Sequence, residues 1–251
     1  MEQEKILEIA VRAGSILLQN GAETYRVEDT IKRICMSYGL ECEPFALPTG
    51  VFVSVEGQKG FSTICKRITS RTIDLTKIAR VNDLSRRIER NRPDYDEVSA
   101  ELENINKDDF YSATVVTISF ALTSFAYTLL FGGGMNDIIA AIAIGAFLGI
   151  LRFVFSKGSS FPFIQYFISG FASSFLSSLA ASLVPANAFV ITIGAITNLV
   201  PGVALANGIR DLLHGDSVSG LARLGEAFMV VAVIAAGTGI GITLWLWGGS
   251  L

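Results

Sequence analysis

From Tyr111 to Leu251 the chain carries eight charged side chains, placed at or near the ends of five apolar runs. The runs span about 112–131, 136–155, 161–184, 187–207 and 222–247. Each approaches the roughly twenty residues that a helix needs to cross hydrocarbon. The other 35 of the 43 charges lie in residues 1–110. A chain divided in this way cannot bury all its apolar runs in one water-soluble core. It is therefore expected to be an α-helical polytopic membrane protein with five transmembrane helices in residues 111–251, preceded by a cytosolic domain in residues 1–110.

Basic residues set the expected orientation. The start "MEQEKILEIAVRAG" is acidic and amphipathic rather than a basic leader followed by an apolar stretch, so the N-terminus is expected in the cytoplasm. Counting spans from there puts Arg152, Lys157, Arg210 and Arg223 at cytoplasmic ends and Asp137 outside, as the positive-inside rule requires. The expectation is a multi-pass protein of the cell membrane, N-terminus inside and C-terminus outside, with the lipid bilayer as its first partner.

The first 110 residues read as an α+β domain. Apolar residues at helical spacing predict helices over 3–20 and 24–38, one over about 75–88 ending before Pro93, and a shorter one near 98–105. Between them "CEPFALP", "GVFVSVEG" and "FSTICKRI" read as strands, with "GQKG" (57–60) as a hairpin turn. Polar candidates in "GAETYRVED", "LPTG" and "SRTIDL" are Glu23, Arg26, Glu28, Asp29, Thr49, Arg71 and Asp74. Glu23 and Arg26, three apart, read as a surface ion pair. Cys35, Cys42 and Cys65 are odd in number and lack metal-ligand spacing, so they read mostly as reduced core thiols. No metal or cofactor is expected.

Small residues recur every four positions in the apolar half: Ala141, Gly145 and Gly149; Gly170, Ser174, Ser178 and Ser182; Gly237 and Gly241. Such stripes let helix backbones approach closely. In "AFVITIGAITNLVPGVALANGIRDLLHGD" (188–216) the stripe Gly194, Asn198, Gly202, Ala206 places an amide on the protein-facing side of the fourth run. Pro201 withholds a hydrogen bond from the carbonyl of Thr197, and Gly202 lets the backbone deform, which is expected to leave free carbonyls near Asn198. A broken helix of this kind builds binding sites in many transporters and also occurs as a purely structural kink. Beyond it lie Asn207, Arg210, Asp211, His214 and Asp216, then Arg223 and Glu226 at the entry of the last run. An acid beside an apolar helix needs a partner, and Arg223 or Arg210 is the expected one for Glu226. A carboxylate resting at a helix start reads equally well, and His214 reads as an interfacial loop residue.

"LVPGVALANGIRDLLHGDSVSGLARLGEA" (199–227), with "GAETYRVEDTI" (21–31) and "RTIDLTKIARVNDLSRRI" (71–88), resembles the threonine/serine exporter family over essentially the whole chain. The similarity is to that family's N-terminal half and, because no second membrane half follows, to its split, two-component form. The resemblance implies a proton-motive-force-dependent exporter of threonine, serine or dicarboxylates such as succinate. It also implies a second, smaller membrane protein, or a homo-oligomer, to complete the pathway.

On this reading Asn198, the carbonyls around Pro201 and Gly202, and Asn207 bind polar groups of a small-molecule solute. Arg210 attracts its carboxylate, and Asp211 or Glu226 carries the coupling proton, with Arg223 as ion-pair partner. Two other classes stay open: an accessory subunit that gates a partner's pathway, and a membrane-anchored enzyme or sensor. The enzyme reading is disfavoured because a tether needs one span, and no nucleophile motif is visible. The charge balance suggests no nucleic-acid partner, and the lack of a phosphate loop disfavours ATP-driven transport.

Overall fold

The computed structural model describes residues 2–57, 60–107, 111–156 and 162–248. The expected domain boundary at Phe110, Gln58 and Lys59 of the hairpin turn, and the connection around Lys157 lie outside them. The chain divides into two compact units: Met1–Asp108 with Gly202–Glu226, and Asp109–Pro201 with Ala227–Leu251.

The first unit opens with helices α1 (Gln3–Gln19) and α2 (Thr24–Ser37). An antiparallel sheet follows in the order β1 (Glu43–Leu47), β2 (Gly50–Gly57) and β3 (Gly60–Arg67), and then α3 (Leu75–Asn91) and α4 (Tyr95–Asn106). The register aligns Phe45 with Phe52 and Phe52 with Cys65 across the three strands. Alternation along β2 buries Val51, Val53 and Val55, and these join Ile9, Leu17, Ile31, Leu84 and Leu102 in one core. Cys35 and Cys42 are buried with them, whereas Cys65 is exposed on β3. Asp74 is a helix cap: its carboxylate accepts from the backbone N–H groups of Thr76 and Lys77 at 2.9 and 3.0 Å, closing the start of α3. Thr49 contributes its carbonyl to Ile68 N–H at 2.9 Å, which fixes the turn between β1 and β2 against the end of β3.

The second unit holds α5 (Ala113–Leu130), α6 (Met135–Ser156), α7 (Pro162–Leu183), α8 (Ala188–Ile196) with a single 3₁₀ turn over Thr197–Leu199, and most of α10 (Ser217–Gly248). Among the described residues four helices are long and apolar enough to cross a membrane: Ala113–Leu130, Met135–Phe155, Phe163–Leu183 and Ser217–Gly248. A fifth crossing exists only if the bent pair Ala188–Leu199 and Gly202–Leu213 counts as one span.

The fourth expected span thus differs from a kinked continuous helix. It stops at Leu199, Val200 turns extended (φ −65°, ψ 128°), and α9 (Gly202–Leu213) starts afresh in the first unit. Proline bars its predecessor from helical backbone angles and brings no N–H, so Val200 is where the helix must end. The Thr197 carbonyl, expected to be free, accepts instead from Val200 N–H at 3.3 Å. The polar stretch 208–220 is helical except for a short turn over residues 214–216, with Gly215 at φ +93°.

The small-residue stripes are close-packing seams. A Cβ added at Gly237 would lie 2.2 Å from the carbonyl oxygen of Phe167, and one at Gly194 would lie 2.0 Å from Thr128 Oγ1. Ser174 donates to the carbonyl of Thr238 at 2.9 Å, tying α7 to α10. A Cβ added at Gly239 would meet nothing within 4 Å beyond its own stretch of helix. Gly237→Ala, which must push two backbones apart, is therefore expected to destabilise the detergent-solubilised protein by about 1–3 kcal/mol. Gly239→Ala, two residues along the same helix, should be neutral or slightly stabilising in the same thermal-melt assay.

Candidate functional site

Sequence reading singled out residues on both sides of Pro201, and they fall into two separate constellations. In the second unit, Asn198 is half-buried, and its Nδ2 donates to Ser124 Oγ at 2.9 Å and to the carbonyls of Phe120 and Ala195 at 3.3 Å. Ser124 and Thr128 of α5 are completely buried beside this amide's helix, and Thr128 Oγ1 has no hydrogen-bond partner among the described residues. The result is a small polar locus within apolar helices, made by an Asn, a Ser and a Thr. Sequence reading named only the Asn. The other two differ from the many Ser and Thr residues of these helices only through the partner that the fold gives them.

Asp137, expected outside, also acts as a staple. Its carboxylate accepts from Gly134 N–H at 2.8 Å and Asn187 N–H at 2.6 Å, joining the starts of α6 and α8.

The first unit brings together Asn207, Arg210, Asp211 and Arg223 with the segment Gly21–Arg26 at the start of α2, and Glu226 with Arg71. α9 and α10 form a tight hairpin. A Cβ at Gly220 would meet the Gly208 carbonyl at 2.7 Å, so these glycines let the two helices touch backbone to backbone. This contact presents Asn207 and Asp211 of α9 and Arg223 of α10 to the body of the unit.

Asn207 Nδ2 donates to the Gly21 carbonyl at 2.7 Å, and Arg223 Nη2 to the Ala22 carbonyl at 2.7 Å. Asp211 is fully buried. One carboxylate oxygen accepts from Thr24 N–H at 3.0 Å; the other accepts from Thr24 Oγ1 at 3.1 Å and pairs with Arg223 Nε at 2.9 Å. A carboxylate removed from water costs several kcal/mol unless charge and hydrogen bonds compensate, and Thr24 with Arg223 supplies both. The ion pair expected between Arg223 and Glu226 is not formed. Arg223 points inward to Asp211, whereas the more exposed Glu226 meets Arg71.

Glu23 is buried and serves two guanidiniums. Arg210 Nη1 reaches Oε1 at 2.7 Å, and Arg26 Nε lies 3.2 Å from Oε2. The expected Glu23–Arg26 pair is therefore present, but as half of a triad whose other half lies 187 positions away. Burial opposes ionisation of Glu23. Its backbone hydrogen bond and the charges of Arg210 and Arg26 outweigh that cost, and the carboxyl sits below its ordinary range.

Two other acids are displaced upward. Glu28 is raised by burial and then by the negative charges of Asp216 and Asp211, although it accepts from Ala46 N–H at 2.8 Å. Asp216 is raised by burial and by Asp211. His214 stacks flat on Tyr25, ring centroids 4.0 Å apart, while its Nδ1 lies 2.8 Å from the Arg210 carbonyl. A carbonyl only accepts, so Nδ1 carries the proton. Among the described residues no cluster of His, Cys, Asp and Glu could hold a metal ion.

A family model described as "Putative threonine/serine exporter" matches residues 8–245. Among similar proteins, one from Klebsiella aerogenes named "Probable succinate transporter subunit YjjP" is 24% identical over 97% of this chain and 95% of its own length. A "Probable threonine/serine exporter" of Mycobacterium tuberculosis is 24% identical over 94% of this chain and 46% of its own length. A "Threonine/serine exporter" of Corynebacterium glutamicum is 23% identical over 95% and 51%. The chain thus spans about half of these two exporters. No solved structure matches significantly.

Two outcomes follow from the buried network. Asp211→Asn leaves Arg223 buried without its counter-charge and is expected to cost about 3–5 kcal/mol in a denaturation measurement. A carboxyl with a depressed folded pKa stabilises the fold above its unfolded pKa, and that contribution disappears as pH falls through the depressed value. Acid titration followed by circular dichroism should therefore show Glu23→Gln losing the part of the transition that lies below about pH 4, the ordinary carboxylate value.

Proposed function

This chain belongs to the threonine/serine exporter family, and on that premise we propose that it is a subunit of a secondary transporter. It would export small carboxylate-bearing metabolites, threonine, serine or dicarboxylates such as succinate, using the proton motive force. The observation that carries this reading is the interruption of the helix at Val200–Pro201, with the polar locus of Asn198, Ser124 and Thr128 on one side and the ionisable network of Asp211 on the other in sequence. A membrane protein retains polar and ionisable groups in apolar segments at a cost, and transport pathways are where that cost is recovered.

In the proposed arrangement residues 1–110 lie in the cytoplasm, and residues 111–251 form the membrane domain with its C-terminus outside. Asn198 binds polar groups of the solute beside the break at Pro201 and Gly202, and Asn207 is a second candidate within the first unit. Arg210 attracts a carboxylate, and Asp211 or Glu226 carries the coupling proton, with Arg223 and Arg71 holding the respective carboxylates when charged. The Klebsiella relative bears the name of a transporter subunit, which supports a second membrane protein as partner; a homo-oligomer is the alternative. A gating role of the first unit is the second reading, favoured by the docking of Gly202–Glu226 onto Gly21–Arg26.

Efflux of labelled threonine, serine and succinate from vesicles, with and without a proton gradient and with and without a candidate partner, tests the proposal directly. Gradient-dependent flux of one of them is expected, and Asn198→Leu should abolish it at unchanged membrane abundance. Full flux in that variant would remove the locus around Asn198 from the pathway.

A further inference from the structure

We propose that Arg26 and Arg210, together with the Tyr25–His214 stack, form a docking site for a dicarboxylate anion at the surface of the first unit. This deepens the exporter reading and rests on it only for the identity of the solute.

The charge balance comes first. The single carboxylate of Glu23 is shared by two guanidiniums, so the triad retains a net positive charge. Glu23 keeps only 7% of its side-chain surface, whereas Arg26 and Arg210 keep 42% and 56% of theirs. The negative charge is thus buried beneath the cations and the positive charge remains accessible. Each guanidinium has five N–H donors. Glu23 takes one nitrogen from each, and Arg26 Nη2 contacts the Tyr25 hydroxyl at 3.5 Å, which leaves further donors on both arginines.

Two of the surrounding acids have partners of their own: Asp211 pairs with Arg223 and accepts from Thr24, and Glu226 is engaged with Arg71. Asp216 and Glu28 lie within electrostatic reach of Asp211, and neither is paired with Arg26 or Arg210 among the described residues.

Rigidity is the second argument. Glu23 anchors both arginines, and the flat stack of Tyr25 on His214 adjoins them, with the Arg26 guanidinium 6.0 Å from the Tyr25 ring centroid. With Nδ1 held by the Arg210 carbonyl, His214 has Nε2 left for solvent or ligand. Guanidiniums fixed in advance bind carboxylates with less loss of side-chain freedom than mobile ones.

The two cations also discriminate. A dianion can place one carboxylate on each arginine, whereas a zwitterionic amino acid brings its ammonium group alongside its only carboxylate and is repelled. The site therefore favours succinate-like solutes over threonine or serine.

The test is calorimetric titration of succinate, threonine and inorganic phosphate into the purified full chain in nanodiscs of zwitterionic lipid, repeated with anionic lipid. Succinate binding at least tenfold tighter than threonine is expected. Arg26→Gln should weaken it about tenfold, Arg26→Lys less, and the exposed control Arg33→Gln not at all, each variant being checked for an unchanged melting temperature. Succinate affinity unchanged in Arg26→Gln, threonine binding as tight as succinate, or phosphate binding as tight as succinate would each overturn the proposal. So would a site that succinate occupies in zwitterionic lipid but cannot enter in anionic lipid at any concentration, since its ligand would then be a headgroup. Binding that behaves as expected without any vesicle flux would sustain the site and remove the export reading. Flux that is indifferent to Arg26→Gln would do the reverse.

Discussion

The first unit depends on one buried carboxylate. Asp211 has no exposed surface, and an uncompensated charge there would outweigh much of the net stability of an ordinary domain. Three groups meet it: the backbone N–H of Thr24, the hydroxyl of the same residue, and the guanidinium of Arg223. The N–H of Thr24 belongs to the first turn of α2, where it has no partner within the helix. Asp211 thus caps α2 from a distant part of the chain, and the helix end and the acid solve each other's problem. Arg223, brought in by the glycine contact between α9 and α10, also satisfies the Ala22 carbonyl. Removing the acid would leave a bare helix start and a buried cation at once, so the hairpin Gly202–Glu226 and the segment Gly21–Arg26 are stable only together.

This explains which parts of the molecule were legible in the sequence. Periodicity is local, and it placed α1, α2 and all three strands of the small sheet within about a residue of their observed limits, as it did the first three apolar helices; the last begins at Ser217, ahead of the expected start at 222. Tertiary pairing is not local. The spacing of Glu23 and Arg26 pointed to an ion pair, but nothing near Glu23 signals that Arg210 shares it. An acid beside an apolar run needs a partner, which suggested Arg223 or Arg210 for Glu226; Arg223 stands three positions before it on α10. The two residues lie on one side of the helix, yet the body of the unit draws Arg223 inward to Asp211 while Glu226 stays near the surface beside Arg71. The break at Pro201 was legible because proline acts on its own neighbours; its extent was not. The apolar content of 187–207 hid the fact that α9 buries Asn207 and Asp211 in the first unit and leaves Ile209 and Leu213 exposed.

The second unit is held by other means. Its helices carry few charges, and apolar side chains gain little by exchanging lipid for one another. Contact between backbones takes over that role. Gly237 approaches the Phe167 carbonyl, Gly145 approaches Ser124 and the Phe120 carbonyl, and Gly194 approaches Thr128, each at a distance that excludes a side chain. Serine and threonine hydroxyls add bonds to carbonyls of their own or a facing helix, as with Ser177 to Ser173 and Ser174 to Thr238. Such seams are defined by shape, which is why the four-residue stripes of small residues predicted them.

The helix break bears on how a pathway of this kind can work. If the break left bare carbonyls within hydrocarbon, each would cost several kcal/mol, and a solute that satisfied them would be held too tightly to leave. At the observed break the Thr197 carbonyl accepts from Val200 N–H, and Asn198 ties its amide to Ser124 and to the carbonyls of Phe120 and Ala195. A solute entering there would replace existing hydrogen bonds rather than supply missing ones, so its net gain is small and its release correspondingly easy. On the export reading proposed above, affinity and selectivity come from charge, and the accessible cations proposed as a docking site at Arg26 and Arg210 are where that charge is concentrated.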